Sequence, residues 1–122
     1  MVQREGINEI YRRGDVLLFP SLNEVFGMVV HEAFLSGTYA VATDCAAASH
    51  ALLRPGVNGE MVAPQDADAL VAAIDRALDR YPFDRQAIRC TVAHITIERE
   101  IAKLVDVARD SGTSLADLTR RC

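Results

Sequence analysis

The sequence predicts an α/β fold with a short parallel sheet and a helical C-terminal tail. Strand-like apolar segments recur as far as residue 63, and each is followed by a segment whose apolar residues recur at helical spacing. Strands that alternate with helices in this way are typical of a parallel sheet covered by helices. Beyond residue 80 the pattern is helical throughout. We therefore expect one partial domain over residues 1–122, with a β-α-β-α-β-α core over 1–80 and C-terminal helices over 81–122.

Each element is predicted from local signals. The expected strands are Asp15 to Pro20, Tyr39 to Asp44 and the short Gly59 to Ala63. The expected helices are Gly6 to Arg13, Gly27 to Leu35, Ala46 to Leu53, Asp66 to Arg80, Phe83 to Thr91 and Ile97 to Arg109, with a short segment after Ser114. The clearest is Asp66 to Arg80, because acids near its start favour the helix dipole. Its core-facing positions are expected to be Leu70, Ile74, Ala77 and Leu78.

The composition is that of an ordinary globular protein. Hydrophobic residues make up 50% of the chain and charged residues 25%, with a formal net charge of −4 and an isoelectric point near 5.3. This acidic balance argues against wholesale nucleic-acid binding. No apolar stretch approaches the roughly 20 residues that a transmembrane helix needs, and the first residues do not form a signal segment. We expect a cytoplasmic protein, or one that a partner attaches to the inner face of the membrane.

Cysteine and histidine usage indicates neither a disulfide framework nor a metal site. The cysteines are odd in number and widely spaced, and the histidines lack the i, i+4 spacing of a metal-binding helix. The residues concerned are Cys45, Cys90, Cys122, His31, His50 and His94. The chain also lacks a P-loop, a dinucleotide fingerprint and a G-x-S-x-G nucleophile elbow. No metal or cofactor is expected.

The most informative segment is the junction between the first strand and the second helix. Glu24 and Glu32 lie eight positions apart, and Phe26-Gly27 falls between them where the helix is expected to begin. In a parallel sheet, ligands bind beyond the carboxyl ends of the strands, where a helix directs unpaired N–H groups and its positive dipole end outward. A phosphate could approach the backbone at Gly27, and each carboxylate could accept two hydrogen bonds from sugar or ribose hydroxyls. These residues predict a nucleotide-sugar ligand.

A longer pattern weighs against a purely structural explanation of this segment. Acids near a helix start favour the dipole in any protein, and Ser21 or Asn23 could simply cap the helix. The chain, however, reads Pro20-Ser21-x-x-Glu24-x-Phe26-Gly27-x-x-x-x-Glu32-Ala33, followed by Ser36-Gly37 and an apolar strand. This order resembles the E-x7-E region of the retaining glycosyltransferases with GT-B architecture that are often called family 4. The resemblance covers roughly Ile10 to Leu78.

The resemblance implies a role for each matching residue. In that family the first glutamate lies against the transferred sugar, the Phe-Gly backbone faces the sugar and diphosphate, and the second glutamate holds the ribose hydroxyls. Glu24 is therefore the expected catalytic residue, and the expected donor-binding residues are Phe26, Gly27, Met28 and Glu32. The implied fold is a Rossmann-like three-layer fragment, the second half of a donor-binding domain. The implied reaction transfers a sugar from a nucleotide diphosphate sugar to an acceptor hydroxyl with retained configuration.

The chain departs from the family pattern just after Asp44. Two glycines and then a glutamate are common there, whereas this chain has Ala46, Ala47 and His50. Each alanine adds a Cβ where backbone and ligand approach closely, and His50 replaces an acceptor-only carboxylate with a titratable ring. These changes bear on donor affinity and sugar choice.

Three functions stay open at this point. No acceptor domain is recognisable, so sugar transfer is expected to need a partner such as a separate N-terminal glycosyltransferase half. The second reading is a non-catalytic remnant that has lost donor binding and self-associates as a homodimer through its unfinished sheet. The third is a nucleotide-binding sensor that uses the same helix start without sugar transfer.

Overall fold

The computed structural model describes residues 4–95 of the chain. Its elements are α1 (Arg4–Arg13), β1 (Val16–Phe19), α2 (Met28–Leu35), β2 (Tyr39–Thr43), α3 (Ala47–Leu52), β3 (Gly59–Val62), α4 (Ala67–Asp79) and α5 (Arg85–Val92). Each predicted strand and helix as far as Thr91 is present, with boundaries that agree within two residues. The predicted helix Ile97 to Arg109 and the segment after Ser114 lie outside the described residues.

The three strands form one parallel sheet in the order β1-β2-β3. Val16 lies opposite Tyr39 in the first pair of strands, and Ala40 lies opposite Gly59 in the second. All five residues of β2 are buried. Because consecutive side chains of a strand point to opposite faces, both faces of β2 are covered. The uncharged sequence YAVAT suits such a doubly covered central strand.

Two helices supply most of the cover over the sheet. Both α2 and α4 pack against β2; α2 also contacts β1 and α5, and α4 contacts β3. In α2 the side chains of Val30, Ala33 and Phe34 are completely buried. This burial accounts for a helix that is apolar on nearly all sides. The α/β class and the parallel sheet predicted from the sequence are thus confirmed.

The apolar stripe of α4 differs in one respect from the prediction. Its buried residues are Ala73 and Ala77, whereas Leu70 and Ile74 are half-buried and Leu78 is 60% exposed. The small alanine side chains let the helix lie close to the sheet, so the contact stripe is centred on them. Leu78, one position beyond Ala77, is rotated out of that stripe, and its assignment to the core was wrong.

A buried asparagine fixes the loop between α3 and β3. Asn58 is completely buried, and its Oδ1 accepts a hydrogen bond from the Arg54 N–H at 2.6 Å. Its Nδ2 donates to the Leu52 carbonyl oxygen at 3.0 Å and to Thr91 Oγ1 at 2.9 Å. One side chain therefore joins the end of α3, the following loop and α5.

A charged cluster lies at the amino edge of the sheet. The Tyr39 hydroxyl is 3.2 Å from Glu60 Oε1, and the Glu60 carboxylate also pairs with Arg76 at 3.2 Å and Arg80 at 3.7 Å. The Tyr39 ring stacks on Phe83 with centroids 4.5 Å apart. Burial, followed by the nearby Glu60 charge, raises the pKa of Tyr39 to about 12. This cluster joins β2, β3 and α4 and lies at the opposite edge from the predicted ligand site.

Within residues 4–95, no helix is both long enough and apolar enough to span a membrane.

Candidate functional site

The predicted site lies beyond the carboxyl ends of the strands, in the loop between β1 and α2. The loop begins at Pro20 and is tied to the neighbouring strand, because Thr43 Oγ1 at the end of β2 donates a 2.6 Å hydrogen bond to the Ser21 carbonyl oxygen. The Ser21 hydroxyl in turn donates to the Asn23 carbonyl oxygen at 3.2 Å. The hydroxyl groups of Thr43 and Ser21 therefore stabilise the loop, and the Ser21 hydroxyl does not cap the helix.

Gly27 starts α2 in a left-handed conformation that favours glycine. It occupies the N-cap position with φ 84° and ψ 51°, in the left-handed region, and no side chain caps the helix. A Cβ at Gly27 would lie 2.9 Å from the Cβ of Ala46 and 3.5 Å from the Phe19 ring. Capping by Ser21 or Asn23, the structural explanation of this segment, is thus wrong. The first turn of α2 keeps its N–H groups clear of any capping side chain.

Glu24 is held beside this helix start. Its Oε1 accepts a hydrogen bond from the Phe26 N–H at 3.3 Å, and its Cγ lies 3.6 Å from the position of a Cβ added at Gly27. The Phe26 carbonyl oxygen accepts a 2.8 Å hydrogen bond from the Ala48 N–H, which joins the loop to the first turn of α3. The side chains of Phe26 and Met28 are exposed, at 46% and 52%. Glu24, Phe26, Gly27 and Met28 are therefore brought together at one place.

Glu32 lies one helical turn after Met28, on the same side of α2. It is half-buried, and its Oε2 accepts a 3.3 Å hydrogen bond from the Tyr11 hydroxyl of α1. Burial, followed by the Glu32 charge and this hydrogen bond, raises the pKa of Tyr11. The contact fixes the carboxylate through one oxygen and explains why α1 contributes to the site. Nothing in the sequence pointed to Tyr11 as its partner.

The three residues after β2 that depart from the family pattern, Ala46, Ala47 and His50, lie in different environments. Ala46 is completely buried and its methyl group packs on Gly27, whereas Ala47 and His50 are exposed. His50 Nε2 donates a 2.8 Å hydrogen bond to the Asp44 carbonyl oxygen at the end of β2. The Ala46 methyl group therefore contributes to packing. The Ala47 methyl group and the His50 ring are exposed, so a ligand could contact them.

An open cavity that the sequence did not predict lies beside the same loop. It has a volume of about 240 Å³ and lies at the carboxyl ends of β1, β2 and β3 and at the start of α4. Its lining residues are Pro20, Leu22, Thr43, Val62, Ala63, Gln65, Asp66, Ala67 and Leu70. Sequence reasoning missed the cavity because its walls come from separate parts of the chain, namely the loops after β1 and β3, the end of β2 and the start of α4.

Comparison with known proteins identifies the group to which the chain is related. The family model described as glycosyl transferases group 1 matches residues 1–80. The chain is 32% identical over 120 residues to a D-inositol 3-phosphate glycosyltransferase of Geodermatophilus obscurus, an alignment that covers 98% of this chain and 26% of that relative.

Solved structures show the same relationship. Sucrose-phosphate synthase from Thermosynechococcus elongatus superposes with a TM-score of 0.68 at 27% identity, over 90% of this chain and 28% of that one. Anabaena HepE, solved in complex with UDP, superposes with a TM-score of 0.67 at 25% identity, over 85% of this chain and 30% of that one. The chain thus spans a minor part of the length of these relatives. From the family match and these neighbours, the chain belongs to the glycosyl transferases group 1 family.

Proposed function

We propose that this chain forms the donor-binding part of a retaining glycosyltransferase and binds a nucleoside diphosphate sugar at the start of α2. The observation that carries the proposal is Gly27, a left-handed N-cap with no side-chain cap, which lies beside Glu24. An uncapped helix start combines free N–H groups with a positive dipole end, and both favour an anion such as a diphosphate. The position of a Cβ on Gly27 is already filled by Ala46 and the Phe19 ring, so the N–H groups of the first turn are the groups that such an anion would meet.

The two glutamates suit the neutral parts of such a ligand. An ionised carboxylate accepts hydrogen bonds but donates none, so it pairs well with vicinal hydroxyl groups. We assign Glu24 to the transferred sugar and Glu32 to the ribose of the nucleotide. The Tyr11 hydrogen bond uses Glu32 Oε2, so Oε1 can accept from a ribose hydroxyl.

The chemistry proposed for the intact enzyme needs little covalent participation by this part. The bond from the anomeric carbon to the diphosphate breaks, the leaving diphosphate takes the electron pair, and an acceptor hydroxyl attacks the same face and gives its proton to an oxygen of the leaving phosphate. The start of α2 would stabilise the negative charge that grows on the leaving group. Glu24 would hold the sugar in position for attack. Transfer by this part alone is not expected, because its relatives are several times longer.

Nuclear magnetic resonance titration tests the proposal. Uridine and guanosine diphosphate sugars should produce saturable amide shifts confined to Glu24 to Glu32 and Thr43 to His50. Glu24→Gln and Glu32→Gln should each weaken binding by about tenfold to a hundredfold, because each loses a charge-assisted hydrogen bond of about 1.5–3 kcal/mol. Glu32→Gln still offers Tyr11 an acceptor oxygen, so the variant separates ligand binding from packing. Addition of a metal chelator should leave the shifts unchanged.

Glu9→Gln is the matched control, since Glu9 is an exposed glutamate on α1 that pairs with Arg12, one turn along the helix, at 2.9 Å. It should bind as the unchanged protein does. Shifts that never saturate, or equal binding by all three variants, would contradict the assignment of the site. Tight binding of a bare nucleoside diphosphate without any gain from the sugar would favour the sensor.

A second candidate function is self-association of a non-catalytic domain. The observation that favours it is the free outer edge of β1, to which no strand pairs among residues 4–95. None of the four residues of β1 is buried, and Leu18 is 49% exposed. Such an apolar edge can add a strand from a second copy or from a separate N-terminal half.

A further inference from the structure

We propose that a cleft at the amino edge of the sheet binds a free α-amino acid with an apolar side chain. The cleft lies between the end of α4, the start of α5 and the loop before β3, and it has a volume of about 270 Å³. Its walls are Tyr39, Gly56, Val57, Arg80, Phe83 and Asp84. The donor site lies beyond the other ends of the strands, so this inference does not depend on the proposed function.

Arg80 brings to the cleft a positive charge that the neighbouring carboxylate does not fully use. Glu60 accepts a hydrogen bond from the Tyr39 hydroxyl on Oε1 and another from Arg76 Nε on Oε2, both at 3.2 Å. Arg80 Nε lies 3.7 Å from Glu60 Oε1, which is within ion-pair distance but beyond hydrogen-bond distance. One carboxylate thus faces two guanidinium groups, and one positive charge remains. The Arg80 side chain is 49% exposed, so a ligand can reach this charge.

The guanidinium group of Arg80 lies against the backbone in the wall of the cleft. A Cβ on Gly56 would be 3.2 Å from Arg80 Nη2 and 3.7 Å from Nη1, so the group contacts this glycine. Within residues 4–95, Nη1 and Nη2 have no hydrogen-bond partner. A planar guanidinium presents paired N–H groups that match the two oxygens of a carboxylate. Arg80 therefore suits the carboxylate of an amino acid.

Asp84 supplies the opposite charge on another wall of the cleft. Its Oδ1 accepts the Ala87 N–H at 2.9 Å at the start of α5. Among the described residues, Oδ2 accepts no hydrogen bond and no ion pair joins Asp84 to Arg80, although both line the cleft. An ammonium group can donate to Asp84 while a carboxylate on the same molecule accepts from Arg80. A phosphate dianion would be repelled by Asp84, so the two walls favour a zwitterion.

The remaining walls favour an apolar side chain of moderate size. The Phe83 ring stacks on Tyr39 with centroids 4.5 Å apart, and the Val57 side chain is 52% exposed. The volume of the cleft exceeds the roughly 150 Å³ of a cavity that holds benzene and lies below the roughly 300 Å³ at which sites for drug-sized ligands begin. An amino acid of the size of phenylalanine or leucine matches this range.

Nuclear magnetic resonance titration of the full chain with L-phenylalanine tests the proposal. The amide resonances of Val57 and Asp84 and the Nε–H resonance of Arg80 should shift in a saturable way. Three comparison compounds each lack one feature of the ligand: 3-phenylpropionate lacks the ammonium group, L-phenylalaninamide lacks the carboxylate and glycine lacks the apolar side chain. Each should bind more weakly by about tenfold or more, because each loses one of the three contacts.

Two variants that remove a charge from the cleft have matched controls. Arg80→Gln should weaken the binding of L-phenylalanine by about tenfold or more, whereas Arg12→Gln, at an exposed arginine of α1, should leave it unchanged. Asp84→Asn keeps an oxygen that can cap α5 and should weaken binding by a similar factor. Asp66→Asn is its control, because Asp66 caps α4 in the same way and does not line the cleft.

Equal affinity for L-phenylalanine and 3-phenylpropionate would overturn the assignment of a zwitterion, as would tighter binding of inorganic phosphate. An unchanged affinity in Arg80→Gln or Asp84→Asn would overturn the site, as would a titration with no saturable shift. Both variants should keep the response of residues Glu24 to Glu32 to nucleotide-sugars. A failure of this proposal is therefore distinguishable from a failure of the donor site.

Discussion

The contact between Gly27 and Ala46 is the most closely fitted point of the candidate site. A Cβ on Gly27 would come within 2.9 Å of the Ala46 Cβ, and Gly27 has a backbone angle that costs other residues about 1–3 kcal/mol. The family pattern has glycines after the second strand, whereas this chain has Ala46, whose methyl group is buried against Gly27. Two small residues thus bring the starts of α2 and α3 together.

Gly27→Ala should lower the free energy of unfolding by about 1–3 kcal/mol and abolish the donor response. The double variant Gly27→Ala, Ala46→Gly should recover part of that stability, because it removes the close contact while the strained angle remains. Urea unfolding of the two single variants and the double variant measures the coupling, expected at about 0.5–3 kcal/mol. Strictly additive effects would show that the contact does not determine the choice of glycine.

The buried hydroxyl of Tyr39 makes stability depend on alkaline pH. The pKa of Tyr39 is raised to about 12 in the folded protein, whereas an unfolded tyrosine titrates near 10. The folded state therefore holds the proton of Tyr39 more tightly than the unfolded state does. The contribution of Tyr39 to the free energy of unfolding is fully present below pH ~10 and is lost as the pH rises from ~10 to ~12. Tyr11, whose pKa is also raised, acts in the same direction.

Thermal unfolding between pH 8 and 12 should show this loss as a falling midpoint temperature. Each pKa unit between the folded and unfolded states corresponds to a loss of ~1 kcal/mol in the free energy of unfolding. Tyr39→Phe should be less stable at neutral pH, because Glu60 loses a hydrogen bond, but its midpoint should fall less steeply above pH ~10. If the midpoint temperature fell equally with pH in Tyr39→Phe and in the unchanged protein, the result would contradict the role given to Tyr39.

At the scale of elements, the loop between α3 and β3 depends on Asn58 for its backbone hydrogen bonds. The Arg54 N–H and the Leu52 carbonyl oxygen both pair with this one buried side chain. A buried backbone group without a partner costs about 1–3 kcal/mol. The loop positions β3 beside β2, so this side chain supports the sheet edge that lines the cavity.

Asn58→Ala should destabilise the protein by roughly 2–5 kcal/mol, because it leaves two backbone groups unpaired and creates a small void. Thr91→Val is the comparison, since it removes the contact from Nδ2 to Thr91 Oγ1 and the 2.6 Å hydrogen bond from that hydroxyl to the Ile88 carbonyl oxygen, and it should cost about 1–2 kcal/mol. Denaturant unfolding measures both values. If Asn58→Ala lowered the free energy of unfolding no more than Thr91→Val does, water would be supplying the hydrogen bonds that the asparagine makes to the backbone.

At the scale of the whole molecule, the outer edge of β1 is the surface most suited to a partner. Its four residues are apolar and incompletely buried, in contrast to the fully buried β2. The relatives that share this fold are far longer, so the same edge can receive further strands of a longer domain. Self-association and completion by an N-terminal half therefore compete for one edge.

Sedimentation velocity over a range of concentrations should detect a dimer if the edge pairs with a second copy. Leu18→Lys places a charge on this strand and should abolish dimer formation, since charged residues block edge pairing. Leu78→Lys is the control, because Leu78 is 60% exposed on α4, away from the strand. A monomer at every concentration would contradict self-association and leave the edge for a separate half.

Local patterns were sufficient for most of the fold. Apolar runs at Val16–Phe19 and Tyr39–Thr43 predicted strands, and helical spacing predicted α2 and α4, because each depends on periods within one segment. The start of α2 and the gathering of Glu24, Phe26 and Gly27 also followed from the sequence, since these residues are neighbours in the chain. Their donor-binding roles stay predictions until a ligand is tested.

Tertiary packing decided what no single segment could contain. The contact of Tyr11 with Glu32 and the pairing of Asn58 with Thr91 join residues that lie far apart in the chain. Leu78 was assigned to the core from spacing alone, whereas the position of α4 on the sheet buried Ala73 and Ala77 instead. The cavity arises where the loops after β1 and β3, the end of β2 and the start of α4 meet at one sheet edge. Sequence determined the elements and the local ligand loop because those depend on nearest neighbours; the cavity and the partners of each side chain depend on how the elements pack.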